Sequence, residues 1–70
     1  MVRIWYYVVE RDGRWWVSRG LSHDLISLPS VETAGAYATA LARLLHETYR
    51  QPAGVRVADQ GRWRDEAVYG

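Results

Sequence analysis

Hydrophobic positions at the start of the chain come in unbroken runs instead of alternating. From about Arg3 to Glu10 nearly every residue is β-branched or aromatic, and Asp12-Gly13 then separates this run from a second one, Arg14 to Arg19. β-branched and aromatic residues favour strands, and Asp-Gly between two such runs is a strong hairpin signal. The hairpin has two possible registers. A two-residue turn at Asp12-Gly13 pairs Val8 with Val17 and sets Trp15 beside Ile4, Tyr6 and Val8 on one face. A three-residue loop over Arg11-Asp12-Gly13 exchanges those partners.

Further along, Leu21, Leu25, Ile26 and Leu28 are too apolar for a free loop, and a short extra strand is expected near Leu25 to Leu28. Pro29 ends that strand. Ser30 is a good N-cap and Glu32 suits the first turn of a helix beginning near Val31. Ala34, Tyr37, Ala38, Leu41, Leu45 and Thr48 recur at helical spacing, with Leu44 and Tyr49 widening the stripe. Such spacing predicts an amphipathic helix that lies close to a sheet through Ala34, Ala38 and Ala42. Its other side carries Glu32, Thr39, Arg43, His46, Glu47 and Arg50, an ordinary solvated set. The helix ends before Pro52, with Gly54 assigned to the turn, and the interior Gly35 is read as a point of close approach to the sheet. Val55 to Ala58, the turn Asp59-Gln60-Gly61 and Arg62 to about Asp65 form a closing hairpin. The expected fold is α+β, in the order ββ(β)αββ. It consists of a small antiparallel sheet of about four strands, with one amphipathic helix on one face and a single domain over residues 1–70.

Successive strand side chains point to opposite faces. Trp15 and Trp16 therefore diverge in either register, and Trp5, Tyr6 and Tyr7 cannot share a side. A helix of about 19 residues is roughly 28 Å long and about 10 Å wide. Four strands at about 4.8 Å spacing need some 15–20 Å of cover on each face. One helix leaves a whole face open, and an open aromatic face approaches the roughly 300–600 Å² patch that monomers tolerate. Trp5, Tyr7, Trp15 and Trp16 are the interface candidates, with one of the two adjacent tryptophans belonging to the core.

Composition narrows the class. Seventy residues without cysteine exclude disulfides and thiolate-bound zinc, so four tryptophans and five tyrosines have to supply the packing. No segment reaches the roughly 20 apolar residues of a membrane helix and no signal core is present, so a cytoplasmic protein is expected. The net charge is +1, and all nine basic residues are arginine. That balance is far from a dedicated nucleic-acid binder, but arginine forks onto phosphate and stacks on bases as lysine does not.

Little catalytic chemistry can be assembled. Adjacent His23 and Asp24 near Ser22 and Ser27 lack a third orienting group, and His46 has no companion at ligand spacing. The acidic pairs Asp65-Glu66 and Glu32 with Glu47 read as solvated surface. No glycine pattern resembles a phosphate-cradling loop. Arg56, Arg62, Trp63 and Arg64 form the best functional cluster, because basic groups around an aromatic can hold phosphates while the ring stacks on a base. In the structural alternative, Trp63 caps the core and these arginines make surface ion pairs with Asp59, Asp65 and Glu66.

With those residues laid out, the chain resembles the small bacterial and phage family catalogued as domain of unknown function 2188. The likeness runs through Val8-Val9 before a glycine turn, Trp15-Trp16-Val17, and a helix entered at Ser30 with Ala34 and Ala38. It ends in Gly61-Arg62-Trp63-Arg64-Asp65 and Tyr69-Gly70. An aliphatic residue is usual where Trp63 stands, and the doubled Trp15-Trp16 and the Gly20 to Pro29 stretch also depart from the pattern. The family has no assigned activity, so the resemblance implies a fold and no mechanism. The sequence reading is a non-enzymatic interaction module that self-associates as a homodimer through its aromatic sheet face, without cofactor, metal or membrane. The alternative is nucleic-acid binding through Arg56, Arg62 and Arg64.

Overall fold

The computed structural model describes residues 2–70. Its elements are β1 (Ile4–Arg11), β2 (Arg14–Arg19), β3 (His23–Leu28), α1 (Val31–Tyr49), β4 (Ala53–Asp59) and β5 (Arg62–Tyr69). The class is α+β with one helix, but the sheet has five strands in the order β3-β2-β1-β4-β5 and is mixed, because β1 and β4 run parallel. The expected antiparallel sheet was built from hairpins alone. α1 carries the chain back across the sheet, so β4 enters beside β1 in the same direction and joins the two halves.

Asp12 and Gly13 both take positive φ, 54° and 77°, and Arg11 pairs with Arg14 across them. This is the two-residue turn whose twist matches the flanking strands. Val8 therefore faces Val17, and Tyr6, Val8, Trp15 and Val17 share one side. Gln60 and Gly61 repeat the geometry in the second hairpin, with φ of 51° and 78°. β5 runs past Asp65 to Tyr69 because it stays paired with β4, with a register shift at Val55/Arg56 that leaves Glu66 unopposed.

Ser30 caps α1, its hydroxyl accepting from the Thr33 N–H at 3.1 Å. Arg50, not a glycine, takes the left-handed position at the helix end, with φ of 57°. The core consists of Tyr6, Val8, Val17, Ala53, Val55 and Val57 from the sheet and Ala34, Ala38 and Ala42 from the helix. Alanines bring the helix axis close, so the contact strip is narrow. Val31, Leu41 and Leu45 pack against this core, whereas Tyr37 and Leu44 on one flank and Thr48 and Tyr49 at the helix end are exposed, not on the buried stripe the spacing suggests. On the opposite flank His46 is half-buried beside the Tyr69 ring, with centroids 6.4 Å apart.

Two glycines have roles other than those expected of them. Gly54 belongs to β4, not to a turn, and a Cβ there would lie 2.5 Å from the Trp5 ring. Gly35 is not a point of close approach, since its Cβ would meet only a Glu66 carboxylate oxygen, at 3.9 Å. Among the described residues no helix is long and apolar enough to cross a membrane.

Candidate functional site

Alternation along the strands sends Trp5, Tyr7, Val9 and Arg11 of β1 to the face opposite α1, with Arg14, Trp16 and Ser18 of β2 beside them. Gly54, Arg56 and Ala58 of β4 and Trp63, Asp65 and Val68 of β5 complete that face. Trp16 therefore belongs to the open face, whereas Trp15 packs against the core and drops out of the interface candidates. Trp63 does not cap the core. It stands opposite Ala58, 48% exposed, with its ring edge-on to Tyr7 at 4.9 Å between centroids.

Small residues in β4 make this tiling possible. Trp5 reaches in from β1 and lies against Gly54, while Trp63 reaches from β5 across Ala58 toward Tyr7. Tyr7 and Trp63 meet edge to face, with 63° between their planes, and Trp5, Tyr7 and Trp16 are half-buried although among the described residues no second layer covers them.

Arginines complete the surface. The Arg56 guanidinium lies 3.7 Å from the Trp5 ring centroid, so that the indole packs against both this cation and Gly54. Arg11 sits over Trp16 at 4.8 Å, and Arg3 approaches Trp5 at 5.7 Å. A guanidinium over an indole is attracted by the ring quadrupole and can stack on the ring face. Ion pairs position the two closer ones: Arg11 with Asp24 at 2.8 Å and Arg56 with Asp65 at 3.1 Å. Arg14 donates to the Ser27 hydroxyl and carbonyl, and Arg3 donates to the carbonyls of Ala53, Tyr69 and Gly70.

The cluster Arg56, Arg62, Trp63 and Arg64 is not one site. Strand alternation keeps Arg56 and Trp63 on the open face and sends Arg62 and Arg64 to the helix side, where they stand opposite Asp59 and Val57. Arg64 is neutralised there by Asp59 at 3.7 Å and by a short contact to Glu66. In their place the open face gathers Arg3, Arg11 and Arg14, which the sequence reading passed over. Strand parity was the available signal, since in the two-residue register Arg11 and Arg14 share the side of Trp16, and Arg3 that of Trp5.

Charge is distributed unevenly as a result. The open face holds four arginines, Arg3, Arg11, Arg14 and Arg56, against two carboxylates, Asp24 and Asp65. The other five arginines share the rest of the molecule with six carboxylates. Arg11 and Arg14 are direct cross-strand partners, an arrangement of like charges that disfavours pairing.

Two recesses lie in this face, with Tyr7 and Leu21 lining both. One, of about 430 Å³, is bounded by Arg3, Ile4, Trp5, Arg19 and the β2–β3 turn, and so extends past the open face to the end of the sheet. The smaller, about 170 Å³, lies among Val9, Arg11, Trp16 and Asp24. Both are open to solvent, and among the described residues no group of three or more metal-ligating side chains is present. A third depression, between α1 and β5, is lined by Glu32, Gly35, Arg43 and Glu66. Comparison with known proteins found no matching family model, no similar curated protein and no similar solved structure. Function therefore has to be read from the open face itself.

Proposed function

We propose that the protein is a non-enzymatic binding module that takes an anionic partner on the open face of its sheet. The carrying observation is the collection of four arginines around Trp5, Tyr7, Trp16 and Trp63, with only two carboxylates to offset them. A surface meant only to be solvated would mix both signs and avoid aromatic rings. Enzymatic chemistry has less support, because the recesses are shallow and no acid, base and nucleophile converge in either. Heparin, a generic polyanion, tests the reading. The protein is expected to be retained at low salt, and the double variant Arg11→Gln/Arg14→Gln to elute markedly earlier. Equal elution of the two proteins would remove the open face from consideration as an anion surface.

Self-association is the second reading, favoured by the exposure of Trp63 and of Val68, both on β5. A second copy could bury both residues. Face-to-face stacking, however, sets two surfaces of like excess charge against each other, which opposes association at low salt. Sedimentation velocity between 5 and 200 µM distinguishes them. A dimer that dissociates on Trp63→Ala supports self-association, and a strict monomer at both ends of the range excludes it.

A further inference from the structure

We infer that the anionic partner is a single-stranded nucleic acid, whose bases stack on two guanidinium planes that this sheet holds piled on indole rings. The inference rests on the reading of the open face as an anion-binding surface and adds what that surface recognises. In the first pile the Trp5 ring lies against Gly54 and the Arg56 guanidinium stands 3.7 Å from its centroid. In the second, Arg11 lies 4.8 Å over Trp16. Neither arginine is buried by its ion pair, since the side chains of Arg56 and Arg11 keep 36% and 51% of their exposure. Each cation therefore lies against an indole, is paired with a carboxylate, and keeps a part of its side chain exposed. A planar group with a delocalised π system is the natural ligand for such a surface, and arginine planes as well as aromatic rings stack bases.

The recesses stand beside these piles. One adjoins Trp5 and Arg3, the other Trp16 and Arg11, and the Tyr7 and Leu21 side chains divide them. Two adjacent flat groups joined by a short charged linker suit that division better than one compact ligand. Cations sit at both ends of the track, Arg11 and Arg14 at the hairpin turn and Arg3 and Arg56 around Trp5. Arg3 and Arg11 are eight residue steps apart, about 26 Å at strand rise, and Arg56 pairs with Tyr7 midway between them. Phosphates following β1 meet positive charge at each end while the bases turn inward to the recesses. A duplex cannot use this arrangement, because its bases are already stacked and paired. An acidic peptide would use the charge but leave the guanidinium planes unoccupied.

Fluorescein-labelled dT10 and rU10 are the probes, titrated with the full chain at 20 mM salt while tryptophan emission is followed. Binding with quenching is expected, and a tenfold rise in salt should weaken it about 25-fold if about two phosphates are neutralised. The deciding variant is Arg11→Lys/Arg56→Lys, which keeps both charges and removes both planes. Its heparin elution is expected to match that of the parent chain, while its affinity for dT10 falls about 5- to 150-fold, the range for lost stacking of a base. Thermal melting of the variant shows whether it is folded, and Tyr49→Ala, at the far end of the helix, should bind as the parent does. Three results would overturn the inference: no binding of either oligonucleotide, undiminished binding by the lysine variant, or equal affinity for a ten-base-pair duplex. If heparin is still retained in any of these cases, the anionic surface stands and only the nucleic-acid partner fails. If heparin also passes through, the proposed function fails with it.

Discussion

Gly54 and Trp5 show how one missing side chain organises a surface. The Trp5 ring lies where a Cβ at position 54 would stand, 2.5 Å from the ring and 3.0 Å from the Ala67 carbonyl oxygen. A methyl group there forces the indole off the sheet and with it the Arg56 guanidinium. Gly54→Ala is therefore expected to destabilise the protein by about 1–3 kcal/mol, as overpacking does. For a domain of this size, a melting curve would move down by about 4–8 °C per kcal/mol. Shortening Trp5 to leucine in the same background should recover part of the loss, a coupling that a double-mutant cycle measures directly. Gly35 is the opposite case. It lies inside a helix with nothing closer than 3.9 Å to its virtual Cβ, so Gly35→Ala should raise stability by about 0.4–1 kcal/mol in a denaturant titration. Both residues are glycines within apolar stretches, and only their neighbours separate them. Trp15 and Trp16 differ in the same way, one packed on the core and the other beneath Arg11.

At the scale of elements, local chemistry decided most of the outcome. The helix runs from Val31 to Tyr49 because Ser30 caps it and Pro52 lies just beyond it. Ser30→Ala leaves the Thr33 N–H without its partner and is expected to lower stability by about 1 kcal/mol, seen as a shift in the urea midpoint at unchanged slope. The first hairpin was legible for the same reason: Asp-Gly tolerates two successive positive φ values, and the two-residue turn then sets the register. β3 and β5 were visible only in part. β3 begins at His23, two residues before the apolar segment, and has a register shift at Val17/Ser18, while β5 continues through Asp65 and Glu66, which have no intrinsic preference for a strand. Pairing with β2 and β4 carries those polar residues along. The helix stripe was read too broadly because a helical wheel reports hydrophobicity and not reach. Ala34, Ala38 and Ala42 are buried with Val31, Leu41 and Leu45 packed beside them, whereas Leu44 on the flank and Tyr49 at the helix end are left 60% and 72% exposed.

Across the whole molecule the two faces of the sheet are finished differently: one by a helix, the other by its own aromatic side chains, with arginines over Trp5 and Trp16. The ion pairs Arg11–Asp24, Arg56–Asp65 and Arg64–Asp59 are exposed and screened, so 1 M sodium chloride should change the unfolding free energy by less than about 1 kcal/mol in a denaturant titration. Polyanion retention on the open face should vanish over the same range, which separates the charge that holds the fold from the charge offered to a partner. The α+β class, the caps and turns, the aromatic face that a single helix cannot cover and the division of Trp15 from Trp16 can all be derived from the order of residues. These follow from strand alternation, helix width and turn geometry, all of which act over a few residues. The parallel pairing of β1 with β4 comes from the folding of the whole chain, because that contact joins residues about fifty positions apart and leaves no local periodicity. That pairing brings Gly54, Trp5 and Arg56 into one stack and separates Arg56 from Arg62 and Arg64, so the candidate site became visible only when the two hairpins were placed side by side.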